Sequence, residues 1–260
     1  MTAALARSSD LNARLVTGVI LVVVAVAALW LGGVVFWLLA SVAAMLMVAE
    51  WAGLAHASQG RIRLSVALMV VPLALACPWI WGPERDAVAM LGIAGIIVAI
   101  VTGQGRLGLG LLFAGLPAIA LMSLRDLPQG IVLTLWTLAV VWATDIGAYF
   151  AGRAIGGPKL APRVSPSKTW AGLGGGVIAA GLVGLLIAGL AGLSPPLRWL
   201  GAPMAVLAQA GDLFESWLKR RAGVKDSGRF LPGHGGALDR LDGVVPVATL
   251  IGALFAAGAL

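Results

Sequence analysis

Nine apolar stretches, most of them close to the length that a helix needs to cross a bilayer, divide this 260-residue chain. A transmembrane helix needs about 20 mostly apolar residues, because its backbone polar groups must all be satisfied within the segment. We therefore predict an all-α, polytopic membrane protein with nine transmembrane helices. The predicted spans cover residues 15–32, 34–55, 64–82, 87–103, 107–124, 130–152, 170–193, 198–218 and 242–260.

The composition agrees with a membrane protein. Hydrophobic residues make up 60% of the chain and charged residues 11%, whereas about a quarter of the residues of a typical soluble domain are charged. We predict a single integral membrane domain over residues 1–260. The single cysteine, Cys77, excludes a disulfide framework and a cysteine-based metal site. The first span is expected to be retained, because no A-x-A-like cleavage site follows it.

The basic residues predict the orientation of the chain. Lys and Arg concentrate in the cytoplasmic loops of membrane proteins. With nine spans, 15 of the 18 Lys and Arg fall on one side, and only Arg85, Arg125 and Arg198 fall on the other. We therefore predict a cytoplasmic N-terminus and an outside C-terminus. The net charge of +7 follows from this topology, so we expect no nucleic-acid partner. The two long loops, 153–169 and 219–241, then face the cytoplasm, where function is expected.

A polar stripe marks the eighth predicted span. Gln209, Asp212, Glu215, Ser216 and Lys219 recur with the helical period, so they share one face of a helix. A carboxylate inside a membrane span is a candidate functional residue. The stripe ends in a Lys-Arg-Arg cluster, which indicates a cation site leading to an anion site. A helix packed through a polar seam is the alternative.

Two further carboxylates lie in predicted spans. Asp145 falls in the sixth span, about two turns before Arg153. Glu50 falls near the inner end of the second span, beside Trp51. We expect Glu50 either to take part in the chemistry or to pair with a buried arginine.

The loop before the seventh span combines hydroxyls with cations. Ser165, Lys168 and Thr169 precede the start of a predicted helix, and Lys159 lies a few residues earlier. Free N–H groups at a helix start bind anions, so this segment predicts a phosphate site. It is not a Walker A loop, because the G-x-x-x-x-G-K-[ST] pattern is missing.

The second cytoplasmic loop carries basic and acidic residues around His234. Its lysines and arginines suit phosphates, or equally anionic lipid headgroups. Asp239 and Asp242 lie three residues apart and could share one face at the start of the ninth span. Carboxylates are typical ligands of Mg²⁺, which usually bridges protein carboxylates and substrate phosphates. The lack of cysteine pairs or paired histidines argues against zinc.

These residues resemble the signature of the phosphatidate cytidylyltransferase (CDP-diacylglycerol synthase) family. The signature positions that fall in register are Ser216, Lys219, Arg220, Lys225, Asp226, Gly228, Leu231, Pro232, His234, Gly235, Gly236, Asp239, Arg240, Leu241 and Asp242. Segments 145–153, 165–170 and 211–216 are also similar to that family. The resemblance is strong over residues 140–245, which implies that the catalytic half of the domain lies there. The first half matches only in hydropathy and at Glu50-Trp51. Ala237 and Arg229 depart from the pattern, which expects a larger aliphatic residue and a neutral polar residue there.

The resemblance implies an enzyme whose substrates are CTP and phosphatidate, with membrane lipid as a partner and one or two Mg²⁺ ions as cofactor. The catalytic residues expected are Asp212, Lys219, Lys225, Asp226, His234, Asp239, Arg240 and Asp242. The substrate-binding residues expected are Ser165, Lys168, Thr169, Arg220, Lys159, Gly235 and Gly236. The expected metal ligands are Asp212, Asp239 and Asp242, with Asp145 and Glu215 as additions.

Two other functions remain open at this point. A CTP-dependent polyprenol or dolichol kinase also joins a cytidine nucleotide to a membrane lipid, and a cation transporter would also need carboxylates inside spans. A CDP-alcohol phosphotransferase is disfavoured, because its D-G-x-x-A-R motif is missing. We expect a bacterial plasma membrane protein with its active site facing the cytoplasm. The glycine-rich stretches at 172–176 and 181–189 favour close helix packing and permit a homodimer.

Overall fold

The computed structural model of the chain describes residue 20 and residues 22–83, 85–228 and 235–260. Within these residues, ten helices and one β-hairpin form. Five helices of the described part are long and apolar enough to cross a membrane. The prediction of a mostly helical, membrane-type chain is therefore confirmed. The count of nine spans and the orientation of the termini stay predictions.

The elements follow one another along the chain with short connections. The helices are α1 (Val22–Leu31), α2 (Gly33–Leu54), α3 (Gln59–Leu75), α4 (Arg85–Thr102), α5 (Gly105–Asp126), α6 (Gly130–Ala154), α7 (Trp170–Leu190), α8 (Leu197–Ala222), α9 (Leu238–Leu241) and α10 (Val244–Ala256). The strands are β1 (Lys159–Ala161) and β2 (Ser165–Thr169). The helices able to cross a membrane are α2, α4, α5, α6 and α7.

Two helix ends differ from the prediction for identifiable reasons. Helix α3 ends at Leu75, several residues early, because Cys77 precedes Pro78 and the residue before a proline avoids helical geometry. The Cys77 carbonyl instead accepts N–H groups of the following turn. Helix α8 runs past residue 218 to Ala222, where Gly223 adopts a left-handed conformation with φ of 72° and ends it.

A β-hairpin occupies the segment that was predicted to be a loop in an all-α chain. Strand β1 pairs antiparallel with β2, and Lys159 lies opposite Thr169. The strands are only three and five residues long, too short for an alternating hydrophobic pattern. The Thr169 hydroxyl accepts the Gly172 N–H at 3.0 Å and caps α7. Thr169, which follows Lys168, is therefore both the last residue of the hairpin and the N-cap of α7.

Helices α6 and α7 approach each other through small residues. A Cβ atom added to Gly147 would lie 2.6 Å from the Gly175 carbonyl oxygen, and one added to Gly176 would lie 2.8 Å from the Thr144 carbonyl oxygen. Such backbone contact is possible only for small side chains. Further along, the Trp136 indole donates a hydrogen bond of 2.9 Å to the Gly184 carbonyl. The packing holds Asp145, which lies on α6, close to the start of α7.

The interior has two main apolar clusters. One is built on α2 to α5 around Trp51 and Leu91, and the other on α6, α7, α8 and α10 around Trp136 and Ile251. Leu241, the last residue of α9, packs against both. The short helix α9 therefore lies at the boundary between the two halves of the chain.

Candidate active site

The C-terminal half of α8 carries the predicted polar stripe. Gln209 and Glu215 are buried there, with 5% and 0% of their surfaces exposed. Lys219 is partly buried one turn further on. A buried polar group is stable only with partners, because its loss of hydration must be offset. The partners come from β2 and α9, and they divide the stripe into two groups.

The first group surrounds Lys168 on β2. Its ammonium forms an ion pair with the Asp212 carboxylate and donates a hydrogen bond of 3.1 Å to Gln209 Oε1. The carboxyl groups of Asp145 and Asp242 interact electrostatically with the Asp212 carboxylate and with each other. We call Asp145, Lys168, Gln209, Asp212 and Asp242 the Lys168 cluster.

The Lys168 cluster carries more acidic groups than basic ones. Three aspartates face one lysine, and no hydrogen bond or ion pair holds Asp145 within the described residues. A cavity of about 380 Å³ opens beside the cluster. Its lining consists of Asp145, Ala148, Tyr149, Gly152, Arg153, Ser167, Lys168, Thr169, Gly172, Leu173, Gln209 and Asp212. The cavity offers carboxylates, hydroxyls and cations together, which suits a phosphate-bearing ligand and its counter-ion.

The second group links α8 to α2 and α9. Lys219 Nζ lies 2.5 Å from Glu215 Oε2 and 2.6 Å from Asp239 Oδ1. The Ser227 hydroxyl lies 3.0 Å from both Asp239 Oδ2 and Glu50 Oε2. We call Glu50, Glu215, Lys219, Ser227 and Asp239 the Glu50 network. It begins one turn along α8 from Asp212, because three residues of helix rise about 4.5 Å.

Asp239 is held ionised by its surroundings. Burial raises the pKa of Asp239, but hydrogen bonding with Glu215 and Lys219 and the N–H groups of Gly236 and Ser227 outweighs burial and lowers the pKa to about 2. The Gly236 N–H lies 2.8 Å from Asp239 Oδ2 and the Ser227 N–H 3.0 Å. Asp239 therefore fixes the backbone on both sides of residues 229–234.

Glu50 has its partners at the start of α9. It pairs with no arginine among the described residues, and it is 3% exposed. Its carboxylate instead accepts the N–H groups of Ala237 at 2.9 Å and Leu238 at 2.8 Å, at the start of α9. A Cβ atom at Gly228 or Gly236 would collide with this carboxylate. The two glycines are therefore small because the Glu50 side chain occupies the space beside them.

Several predicted site residues lie outside both groups. Lys159, Arg220, Lys225, Asp226 and Arg240 are exposed. The Arg220 guanidinium donates to the Val164 carbonyl at 3.3 Å, which ties α8 to the hairpin.

The remaining predicted substrate-binding residues have local roles. The Thr169 hydroxyl caps its own helix. Ser165 lies on β2 outside the cavity lining, where Ser167 takes its place. Gly235 has a φ of 79°, which favours glycine, and a Cβ atom there would lie 2.8 Å from Asp239 Oδ2. His234 and Arg229 lie outside the described residues.

The five predicted metal ligands do not form one site. Asp145, Asp212 and Asp242 belong to the Lys168 cluster, whereas Glu215 and Asp239 belong to the Glu50 network and lie beside Lys219. Among the residues that the structure describes, no group of three or more His, Cys, Asp or Glu side chains could hold a metal ion by itself. A cation at the Lys168 cluster would need ligands from a substrate to complete its coordination.

Sequence reasoning missed several residues of the site. Tyr149 and Arg153 line the cavity, and the Arg153 guanidinium donates to the Tyr149 hydroxyl at 3.1 Å. Their spacing of four and eight residues from Asp145 on α6 is a signal that could have found them. Ser227 joins Glu50 to Asp239, but no spacing in the sequence indicates a contact over 177 residues.

The cytidylyltransferase family model matches residues 12–257. The chain belongs to the cytidylyltransferase family. It is 42% identical to the phosphatidate cytidylyltransferase of Brucella suis over 266 residues, which cover 95% of each chain. It is 37% identical to the phosphatidate cytidylyltransferase of Pseudomonas aeruginosa over 271 residues, which cover 95% of this chain and 98% of the relative. A Rickettsia bellii protein of the same name is 30% identical over 255 residues, covering 94% and 90%.

Membership of the cytidylyltransferase family confirms the predicted resemblance and extends it. The signature residues lie in the second half of the chain, whereas the family match begins at residue 12. It therefore includes α2, whose Glu50 holds the start of α9. Both polar groups of this cytidylyltransferase-family protein lie inside the matched region.

Proposed function

We propose that this protein transfers the cytidylyl group of CTP to phosphatidate and releases pyrophosphate, with CDP-diacylglycerol as product. The observation that carries the proposal is the similarity along 95% of the chain to proteins named phosphatidate cytidylyltransferase. The polar cavity beside the Lys168 cluster supports it, because a phosphate-bearing substrate needs cations and hydroxyls in an otherwise apolar protein.

The proposed reaction needs positioning more than covalent catalysis. A phosphate oxygen of phosphatidate forms a bond to the α-phosphorus of CTP, and the bond from that phosphorus to the bridging oxygen of the β-phosphate breaks. The bridging oxygen leaves with the electron pair as part of pyrophosphate. The attacking oxygen is already anionic at neutral pH, so the main obstacle is repulsion between two anions. Fixed charges around phosphates remove most of this barrier.

The lysines of the two groups would neutralise the substrates. Lys168 lines the cavity, and its ammonium already holds two oxygen acceptors, so it would exchange part of that pairing for a phosphate. Lys219 lies about two helical turns beyond Asp212 on α8, and we assign it to the CTP phosphates. Arg153 lines the cavity from α6 and would add a third cation. The exposed cations Lys225, Arg220 and Arg240 would attract CTP to the surface.

The acidic side of the Lys168 cluster fits Mg²⁺. Three carboxyl groups that interact electrostatically share one lysine, so acidic side chains outnumber basic ones in this cluster. Mg²⁺ commonly uses one or two carboxylates and completes its coordination with substrate phosphates. Asp212 and Asp242 would hold it, with Asp145 nearby. When bound, the ion would neutralise charge on the phosphates and orient them.

The site is proposed to face the cytoplasm of a bacterial inner membrane. The support is the distribution of Lys and Arg, with 15 of 18 on one side of a nine-span topology. CTP is a cytoplasmic nucleotide, and phosphatidate presents its phosphate at the membrane surface. A homodimer remains a prediction from the glycine-rich helices.

CTP that is labelled on one of two phosphates tests the proposal directly. The purified protein is incubated with phosphatidate, Mg²⁺ and CTP that carries label on either the α- or the γ-phosphate. Cytidylyl transfer puts the α-label into the lipid and the γ-label into pyrophosphate. A lipid kinase would put the γ-label into the lipid, and a transporter would put neither there. The matched control replaces phosphatidate with polyprenol as the acceptor. The proposal would be overturned if the γ-label entered the lipid, or if neither label did.

A further inference from the structure

We propose that Glu50 is a positioning residue that holds Asp239 and Lys219 in place for CTP, although it touches no substrate itself. The inference rests on the proposed function for the identity of the nucleotide. It assigns a role to a buried carboxylate in the first half of the chain, 169 residues before Lys219 and 189 residues before Asp239.

Glu50 is held as an acceptor on both of its oxygens. Oε1 accepts the Ala237 N–H at 2.9 Å, and Oε2 accepts the Leu238 N–H at 2.8 Å and lies 3.0 Å from the Ser227 hydroxyl. The N-terminus of the short helix α9 is therefore closed by a side chain from α2. Since Glu50 is 3% exposed, water does not replace these bonds easily.

A chain of contacts leads from Glu50 to Lys219. Ser227 contacts Glu50 and Asp239 with the same hydroxyl, and its N–H also bonds Asp239. The other oxygen of Asp239 accepts a hydrogen bond of 2.6 Å from Lys219. Glu50 thus fixes both the backbone that carries Asp239 and the hydroxyl that orients it. Loss of Glu50 would loosen Asp239, one of the two carboxylates that hold the Lys219 ammonium.

A glutamine cannot take over this role. Both oxygens of Glu50 face backbone N–H groups, so the amide NH₂ of glutamine would have to point at one of them in either orientation. Two donors facing each other leave a buried N–H unsatisfied. Glu50→Gln therefore keeps the size of the side chain and breaks one of the two bonds that anchor the start of α9. Ser227→Ala is a milder variant, because it removes only the hydroxyl between Glu50 and Asp239 and keeps the backbone bonds to both carboxylates.

The matched control is Trp51→Phe. Trp51 is the next residue of α2, and its indole donates one hydrogen bond of 2.8 Å to the Arg106 carbonyl. The control removes a buried tertiary contact of the same helix without touching the Glu50 network.

The experiment compares full-length wild type, Glu50→Gln, Ser227→Ala and Trp51→Phe in lipid nanodiscs. Hydrogen exchange of the peptide over 235–241 reports the anchoring, and the dissociation constant of CTP with Mg²⁺, without phosphatidate, reports the positioning. We expect faster exchange of that peptide in Glu50→Gln alone, and CTP binding weakened by about 10- to 100-fold, as when a partner of a functional side chain is lost. Ser227→Ala should weaken binding in the same direction but less, and Trp51→Phe should leave both readouts near wild type.

The outcomes separate the inference from the proposed function. A merely structural Glu50 would lower the amount of folded protein but leave the CTP dissociation constant of the folded fraction unchanged, which would overturn the inference. Unchanged hydrogen exchange at 235–241 in Glu50→Gln would also overturn it. If the wild type binds CTP but forms no CDP-diacylglycerol, the proposed function fails, while the two readouts still decide the role of Glu50.

Discussion

Lys168 on the hairpin forms an ion pair with Asp212 on α8, 44 residues further along the chain. The pair joins the loop that precedes α7 to the polar stripe of α8, and it lines the same cavity as Asp145 and Arg153. A cation and a carboxylate that neutralise each other before substrate arrives can each turn to a phosphate or a metal ion afterwards. Lys168 and Asp212 thus compensate each other's charge in this partly buried site before a substrate binds.

Removal of Lys168 should affect stability and activity separately. Lys168→Met leaves Asp212 without its ion-pair partner, and we expect a loss of about 1–3 kcal/mol of stability, the penalty of a half-broken polar pair. The double variant Lys168→Met/Asp212→Asn removes both charges and should recover most of that stability without recovering turnover. Thermal unfolding in detergent and CDP-diacylglycerol formation measure the two effects. Equal stability of the single and the double variant would contradict the pairing.

Asp212→Asn should stop turnover while the protein is still made and folded. The amide retains the shape but loses the charge proposed to hold Mg²⁺, and loss of one preorganised charge at a phosphate is expected to lower kcat by at least about 100-fold. The measurement is incorporation of α-labelled CTP into phosphatidate at saturating substrates. Asp86→Asn, an exposed carboxylate on α4, is the control. Near-normal activity of Asp212→Asn would refute its assignment as a ligand.

Adjacent glycines on α7 should differ sharply in their tolerance of alanine. A Cβ atom at Gly175 would collide with the Ala151 side chain and lie 2.8 Å from the Gly147 carbonyl oxygen, whereas one at Gly174 meets nothing within 4 Å. Gly175→Ala should therefore lower stability by about 1–3 kcal/mol. It should also move Asp145 away from Asp212 and reduce turnover. Gly174→Ala should be neutral in both assays, and similar behaviour of the two variants would argue against the close approach of α6 and α7.

Acid should lower the stability of the fold by protonating Asp239. Its pKa of about 2 lies below its ordinary value of 3.8. A carboxyl group with a lowered folded pKa stabilises the fold at pH values above the ordinary pKa, and that contribution is lost as the pH falls through the folded pKa. The unfolding temperature of the wild type should therefore drop between about pH 4 and pH 2. Asp239→Asn should start from a lower value at neutral pH and fall less over this window, as followed by scanning fluorimetry. An equal fall in both proteins would show that other groups dominate.

The polar stripe of α8 illustrates what can be predicted from sequence. Its residues recur with the period of a helix, and one helix does present them on one face. The apolar stretches likewise predict the helical, membrane-type architecture, because their length and composition are local properties. The partners of the stripe are not local. The contact of Lys168 with Asp212 requires the hairpin, which is too short to leave a pattern.

Glu50 shows a different limit of sequence reasoning. Its burial predicts a partner, and a buried arginine is the obvious choice, but its partners among the described residues are the Ser227 hydroxyl and the backbone N–H groups of Ala237 and Leu238. Every residue except proline carries such a group. A side chain that binds backbone therefore leaves no complementary residue in the sequence to be recognised. The predicted metal ligands present the same difficulty, since Asp239 and Asp242 are near neighbours in sequence but belong to separate groups.

Helix α8 contributes residues to both the Lys168 cluster and the Glu50 network, so its position affects both. Gly201 of α8 packs directly on the backbone of α7 at Ala180, and Gly211 packs on Asp242 and Pro246. Each residue of helix corresponds to a rotation of about 100°. A slip of α8 by one residue would therefore disengage Asp212 from the hairpin and Lys219 from α9 in the same step. A small molecule bound at either glycine would therefore disturb the Lys168 cluster and the Glu50 network together.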